Sequence, residues 1–160
     1  MKSSKPSITA DTSALVKWFK VERDREWAVQ LRSWAEEGRV KLILSVLFLS
    51  ECARGFKKAG WENKEITEAL DMFDMMVNLF GIELISVDKL VAKTAQKLVI
   101  EHGIYSADAI HAATAILTSS SYFVSSDKHH VKKSLQELME SKGVKVLKLA
   151  ELQDIENRFQ

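Results

Sequence analysis

Ile8-Thr9-Ala10-Asp11-Thr12-Ser13-Ala14-Leu15-Val16-Lys17-Trp18-Phe19 decides how the rest of the chain is read. Residues 8–10 follow the chain's only proline, Pro6, and read as the end of a first strand. Residues 12–19 then read as a helix. Asp11 therefore falls at the carboxyl end of a strand, where open α/β sheets hold their ligands. An acid in this place is either a helix cap or the anchor of an active site. Which of the two holds depends on whether later acids are placed to join it.

Working outward, residues 23–37 carry Trp27, Leu31 and Trp34 at spacings that give a helix one buried face, ended by Gly38. Tryptophans in that pattern read as core rather than as platforms for stacked bases. Residues 39–46 read as a buried strand and residues 47–59 as a helix ending at Gly60. That helix bears Glu51 inside Phe48-Leu49-Ser50-Glu51-Cys52-Ala53, an unusual depth for a charge unless it is paired or faces a cleft. If Glu51 has no functional role, Arg54, three residues on, could pair with it in a surface ion pair of about 0.2–0.5 kcal/mol. Lys57 and Lys58 follow as a modest basic cluster.

Residues 61–80 read as a helix with more apolar circumference than one core stripe requires, so it is either deeply buried or offers a patch to another chain, the second being slightly favoured. Phe56, Trp61, Met72, Phe73 and Met76 are expected to form a surface for a partner, either a second copy or a helical segment of another protein. Residues 82–87 read as a strand, and Asp88 as the N-cap of a helix over Lys89–His102. Ser106–Leu117 is a small-residue helix with Ser106 as its expected cap and Asp108 in its first turn, where the helix dipole favours a carboxylate. Residues 121–125 read as a strand running directly into Ser126-Asp127, a second strand that ends in an acid. Residues 128–142 then read as a helix, 144–149 as an outer strand and 151–159 as a short closing helix. Strands and helices alternate without repeat or linker. One α/β domain over residues 1–160 is expected, a central parallel sheet with helices on both faces.

Composition narrows the function classes. No apolar run approaches the ~20 residues of a membrane span, and the polar start, Met1 to Ser7, does not resemble a signal peptide. A single cysteine, Cys52, excludes an internal disulfide framework and a cysteine-based zinc cluster. A cytosolic protein is the simplest expectation. The net charge of +1 hides an asymmetry: residues 1–60 hold twelve Lys and Arg against seven acids, residues 61–120 four against nine.

Asp11, Glu51, Asp108 and Asp127 thus stand out by position rather than by number. Each can reach the carboxyl edge of one parallel sheet. Four carboxylates gathered there repel one another and become stable together around divalent cations. Oxygen donors without a Cys or His cluster favour Mg²⁺ or Mn²⁺, one ion or two, over zinc. Such a centre suits phosphoryl transfer, because it activates water and offsets charge developing on phosphate. His111, three residues after Asp108, has metal-like spacing but lies among alanines and reads as a packed or hydrogen-bonded histidine.

These residues together resemble the PIN-domain family, and the opening Asp11 to Phe19 with Glu22 resembles its VapC-type toxin ribonucleases. The similarity runs on through Glu51, Ser106-Ala107-Asp108-Ala109-Ile110-His111-Ala112 and Ser125-Ser126-Asp127. It implies an endoribonuclease dependent on Mg²⁺ or Mn²⁺ and acting on single-stranded or structured RNA, often a homodimer, often held inactive by a small antitoxin. Asp11, Glu51, Asp108 and Asp127 match the family's acidic quartet, with Asp11 and Asp108 as direct metal ligands and Glu51 and Asp127 completing the shell. Ser13 or Thr12, and Ser125, match hydroxyls in supporting roles, while Lys17 and Glu22 match the motif without assigned chemistry. Lys128-His129-His130 stands where the family often has an aromatic. Two other readings compete. Asp11 as a phosphate-accepting nucleophile lacks the second acid that such phosphatases carry, since position 13 is Ser; a non-catalytic RNA-binding or protein-interaction module would have little reason to keep all four acids.

Overall fold

Five short runs rich in Val, Ile, Leu, Phe and Tyr pair into a single sheet. In the computed structural model, which describes residues 4–126 and 131–159, these strands are β1 (Ser7–Ala10), β2 (Lys41–Ser45), β3 (Glu83–Ile85), β4 (Tyr122–Ser125) and β5 (Lys145–Lys148). Their order is β3-β2-β1-β4-β5 and every pairing is parallel. The helices are α1 (Thr12–Leu15), α2 (Arg25–Glu36), α3 (Leu47–Lys58), α4 (Asn63–Phe80), α5 (Lys89–His102), α6 (Ser106–Leu117) and α7 (Lys133–Ser141). Asp127, Lys128, His129 and His130 lie outside the described residues. No described helix is long and apolar enough to cross a membrane.

Alternation along the strands divides the core into two layers, because successive side chains in a strand point to opposite faces. Ile8, Ala10, Leu42, Leu44, Tyr122, Val124 and Leu147 face one cluster, filled by Leu31, Trp34, Phe48, Phe56 and Phe73 from α2, α3 and α4. Phe123 and Val146 turn the other way, toward Val91, Leu98, Leu135 and Met139 from α5 and α7 and the alanines of α6. This is the expected architecture of a parallel sheet with helices on both faces.

The topology also locates a crevice. From β1 the chain steps outward through β2 to β3, then crosses back to place β4 and β5 on the other side of β1. Connections leaving β1 and β4 therefore diverge, and the gap between their carboxyl ends is where such sheets take ligands. Asp11 follows β1 directly, and Ser126 follows β4.

Local departures from the sequence reading have physical causes. The helix expected over 12–19 is only α1 followed by a 3₁₀ turn, Val16–Trp18. Here the Lys17 ammonium donates to the Arg23 carbonyl (2.7 Å) and the Trp18 indole donates to the Ala28 carbonyl (2.7 Å). These longer-range bonds prevail over a stretch whose Val, Trp and Phe have little helix preference. The closing helix expected over 151–159 is likewise two 3₁₀ segments, Leu149–Asp154 and Glu156–Phe159. Tyr105, not Ser106, occupies the cap position of α6, and Ser106 is its first helical residue. Asp88 caps α5 as expected, accepting from the Val91 N–H at 2.9 Å.

The partner surface needs correction. Phe56 and Phe73 are fully buried, so neither is a surface residue. Phe73 lies against Phe48 and Trp18 with ring centroids 4.6 and 6.3 Å away, because α4 packs on both α2 and α3. Phe56 stacks on the half-buried Trp61 at 4.3 Å and 8°. Met76 is half-buried, while Met72, Met75 and Leu79 form the exposed strip. The wide apolar circumference of α4 thus belongs mainly to the core.

Candidate active site

Asp11 ends β1 with its own N–H donating to the Val124 carbonyl at 3.1 Å, one residue beyond the paired register. The chain then turns into α1, and Asp11 caps that turn: its Oδ1 accepts the Ala14 N–H at 3.3 Å and the Ser13 hydroxyl at 2.5 Å. Every hydrogen bond to this carboxylate among the described residues falls on Oδ1, which leaves Oδ2 for a ligand. Capping thus occupies one oxygen of Asp11 and does not exclude a second role for the other. Ser13 in turn accepts the Ser126 N–H at 3.1 Å and lies 3.3 Å from the Ser125 hydroxyl. One hydroxyl therefore ties the ends of β1 and β4 together across the crevice.

Glu51 reaches the same edge from α3. That helix starts immediately after β2, with the Val46 N–H on the Ile85 carbonyl (3.0 Å) and the Leu47 N–H on the Ser45 hydroxyl (3.2 Å). Glu51 Oε1 accepts the Thr12 hydroxyl at 2.8 Å and His111 Nε2 at 2.5 Å. Arg54, the alternative partner, is exposed, and it is His111 that reaches Glu51, from a different helix. Partial burial pushes the Glu51 carboxyl up, but the His111 and Thr12 contacts outweigh it and hold it below its usual value of 4.5. His111, 2% exposed, is a hydrogen-bonded core histidine with Glu51 as its partner.

Asp108 projects from the first turn of α6 and is exposed. With Asp11 it lines one recess whose walls are Ile104, His111, Phe123, Val131 and Leu135. Apolar walls lower the local dielectric and strengthen any charge interaction between them. Two hard oxygen donors at one recess suit Mg²⁺ or Mn²⁺. Among the described residues no three acidic, histidine or cysteine side chains already form a closed cage. Asp127, the remaining acid of the expected quartet, falls outside the described residues. Asp11 and Asp108 thus supply two oxygen donors of the kind such a cation takes, and Glu51 is tied to the same edge through Thr12 and His111. Cys52 is no candidate ligand, since burial pushes its thiol up to about 12.

Lys17 and Glu22 do their work away from this centre. Lys17 is buried and, besides the Arg23 carbonyl, lies 3.5 Å from Glu22; Lys20 approaches Glu22 to 2.9 Å. The pair pins the loop between α1 and α2. Glu22 is held below 4.5, first by its hydrogen bond with Lys20, then by the charges of Lys20 and Lys17, which together exceed a raising effect of burial. A carboxyl lowered on folding adds stability above its unfolded value and loses it as pH falls through the folded one. Glu22→Gln should therefore lower the thermal midpoint at pH 7, with the gap from wild type closing on acidification below pH 4.5. A gap that widens in acid would contradict this assignment.

Comparison with known proteins agrees with the architecture. A family model described as "PIN domain" matches residues 8–134. Among solved structures, FitAcB from Neisseria gonorrhoeae superposes with a TM-score of 0.63 at 21% identity, covering 89% of this chain and 98% of that one. VapBC2 from Rickettsia felis, bound to a promoter DNA fragment, gives 0.59 at 17% identity over 89% and 98% of the two chains. A toxin-antitoxin complex from Klebsiella pneumoniae gives 0.56 at 18% identity over 79% and 91%. A comparison with curated proteins finds no match. At these identities the solved structures speak to fold alone, but the family model spans most of the chain, and with the sheet order and the position of Asp11 it leads to one conclusion: this chain belongs to the PIN-domain family.

Proposed function

We propose that this protein is a divalent-cation-dependent endoribonuclease, acting on single-stranded or structured RNA as the toxin of a toxin-antitoxin pair. The observation that carries the reading is the meeting of Asp11 and Asp108 at one recess beside the β1/β4 switch point. Asp11 and Asp108 would hold Mg²⁺ or Mn²⁺, with Glu51 and Asp127 completing the shell. When bound, the cation activates water and offsets charge on the scissile phosphate. The chain's own residues supply position. Ser13 fixes Asp11 Oδ1 and ties it to Ser125 and Ser126, so Oδ2 keeps one direction. Ile104, Phe123, Val131 and Leu135 keep bulk water from the recess walls.

Partners belong to the same proposal. Neighbours described as toxin-antitoxin complexes support a small protein inhibitor. The exposed strip of Met72, Met75 and Leu79 on α4 supports contact with that inhibitor or with a second copy. A cytosolic setting accompanies this reading.

The test is incubation of single-stranded RNA with purified protein in Mg²⁺ or Mn²⁺. Cleavage is expected with either metal, lost on adding EDTA and restored by excess Mg²⁺. Cleavage that survives EDTA would refute the metal-dependent mechanism.

A further inference from the structure

Glu51 is held from one side only. Both of its hydrogen bonds, from Thr12 (2.8 Å) and His111 (2.5 Å), land on Oε1, and among the described residues none reaches Oε2. The Thr12 hydroxyl and His111 Nε2 stand 3.4 Å apart, which is the spacing of two donors sharing one acceptor. Nε2 therefore carries the proton, and His111 donates to a carboxylate. Its other nitrogen, Nδ1, is buried without a partner among the described residues. An apolar side chain would cost less in that alanine-rich place, since an unpaired buried polar atom carries a desolvation penalty. His111 also walls the recess of Asp11 and Asp108. A single ring thus touches both parts of the site, and Thr12, adjacent to Asp11 in sequence, grips the same oxygen from the opposite element.

We propose that His111 is a positioning residue: with Thr12 it clamps Glu51 Oε1 so that Oε2 is presented to the cation centre of Asp11 and Asp108. This rests on the function proposed above. The clamp fixes the orientation of a half-buried carboxylate whose second oxygen makes no hydrogen bond among the described residues. Partners that orient a metal ligand in this way typically change metal affinity or activity about 10–100-fold when removed.

The test uses His111→Leu, which keeps bulk but loses the donor, and His111→Gln, whose amide nitrogen can reach the position of Nε2. Glu51→Gln and the Glu51→Gln/His111→Leu pair complete a cycle. Mn²⁺ affinity of the RNA-free protein, kcat and KM on RNA, and thermal midpoint are read for each. His111→Leu should lower Mn²⁺ affinity and kcat about 10–100-fold with KM unchanged, and His111→Gln should recover most of the loss. Adding His111→Leu to Glu51→Gln should change either value by no more than about twofold, because the partner is already gone. His111→Gln as impaired as His111→Leu, with both at the wild-type thermal midpoint, would overturn the proposal. So would a full His111→Leu effect in the Glu51→Gln background. If His111→Leu does not fold, the wild-type imidazole N–H resonance decides: it should lie far downfield and move in Glu51→Gln, and an unmoved signal counts against the clamp. If wild type binds Mn²⁺ yet cleaves no RNA, the proposed function fails while the Mn²⁺ readings still judge His111.

Discussion

Asp11→Asn should reduce RNA cleavage by about 10²–10³-fold, the effect of losing several kcal/mol of charge stabilisation at the reacting phosphate. The fold should survive. Asparagine at this position can still accept the Ala14 N–H and the Ser13 hydroxyl through its side-chain oxygen, and it is as good an N-cap as aspartate. The substitution removes the negative charge on the recess while retaining the bonds that shape α1. Unchanged circular dichroism and thermal midpoint, together with lost cleavage, are the expected pair of results. A variant that cleaves as well as wild type would remove Asp11 from the chemistry and leave it a cap.

Phe73→Ala should destabilise the protein by about 3–5 kcal/mol, the range for deleting a fully buried ring. Phe73 fills the space between Phe48 and Trp18, and no neighbour can collapse into that volume without moving α2, α3 or α4. Met75→Ala, two residues along the same helix but 62% exposed, should change stability by no more than about 0.5 kcal/mol. Denaturant unfolding of the two variants separates a core role for α4 from the partner-surface role suggested by its composition. Equal, small effects would mean that α4 does not pack as described.

The contrast at α4 shows where sequence is informative and where it stops. Alternation of strand and helix patterns was enough to predict a parallel sheet, since each signal is local and is set by side-chain periodicity. The position of Asp11 at a strand end is legible for the same reason, because a strand, an acid and a helix lie within a dozen residues. Helix bounds at Lys89–His102 and Ser106–Leu117 were legible through Asp88, Gly103 and the run of alanines. What stayed hidden depends on which helix lies against which. Phe73 and Met72 are adjacent and similarly apolar, yet one meets Phe48 and Trp18 and the other faces outward. Glu51 and His111 are 60 residues apart, and only the tertiary placement of α3 and α6, which cover opposite faces of the sheet, brings them together. Arg54, the candidate near in sequence, is exposed instead. The one available hint was the Asp108/His111 spacing, which places both side chains on one face of a helix.

The most direct measurement is a Mn²⁺ titration of metal-free protein, wild type beside Asp11→Asn and Asp108→Asn, followed by calorimetry or electron paramagnetic resonance. A shared cation centre predicts binding by wild type and a loss of at least about tenfold in affinity in each variant. Equal Mn²⁺ binding by all three proteins would contradict it.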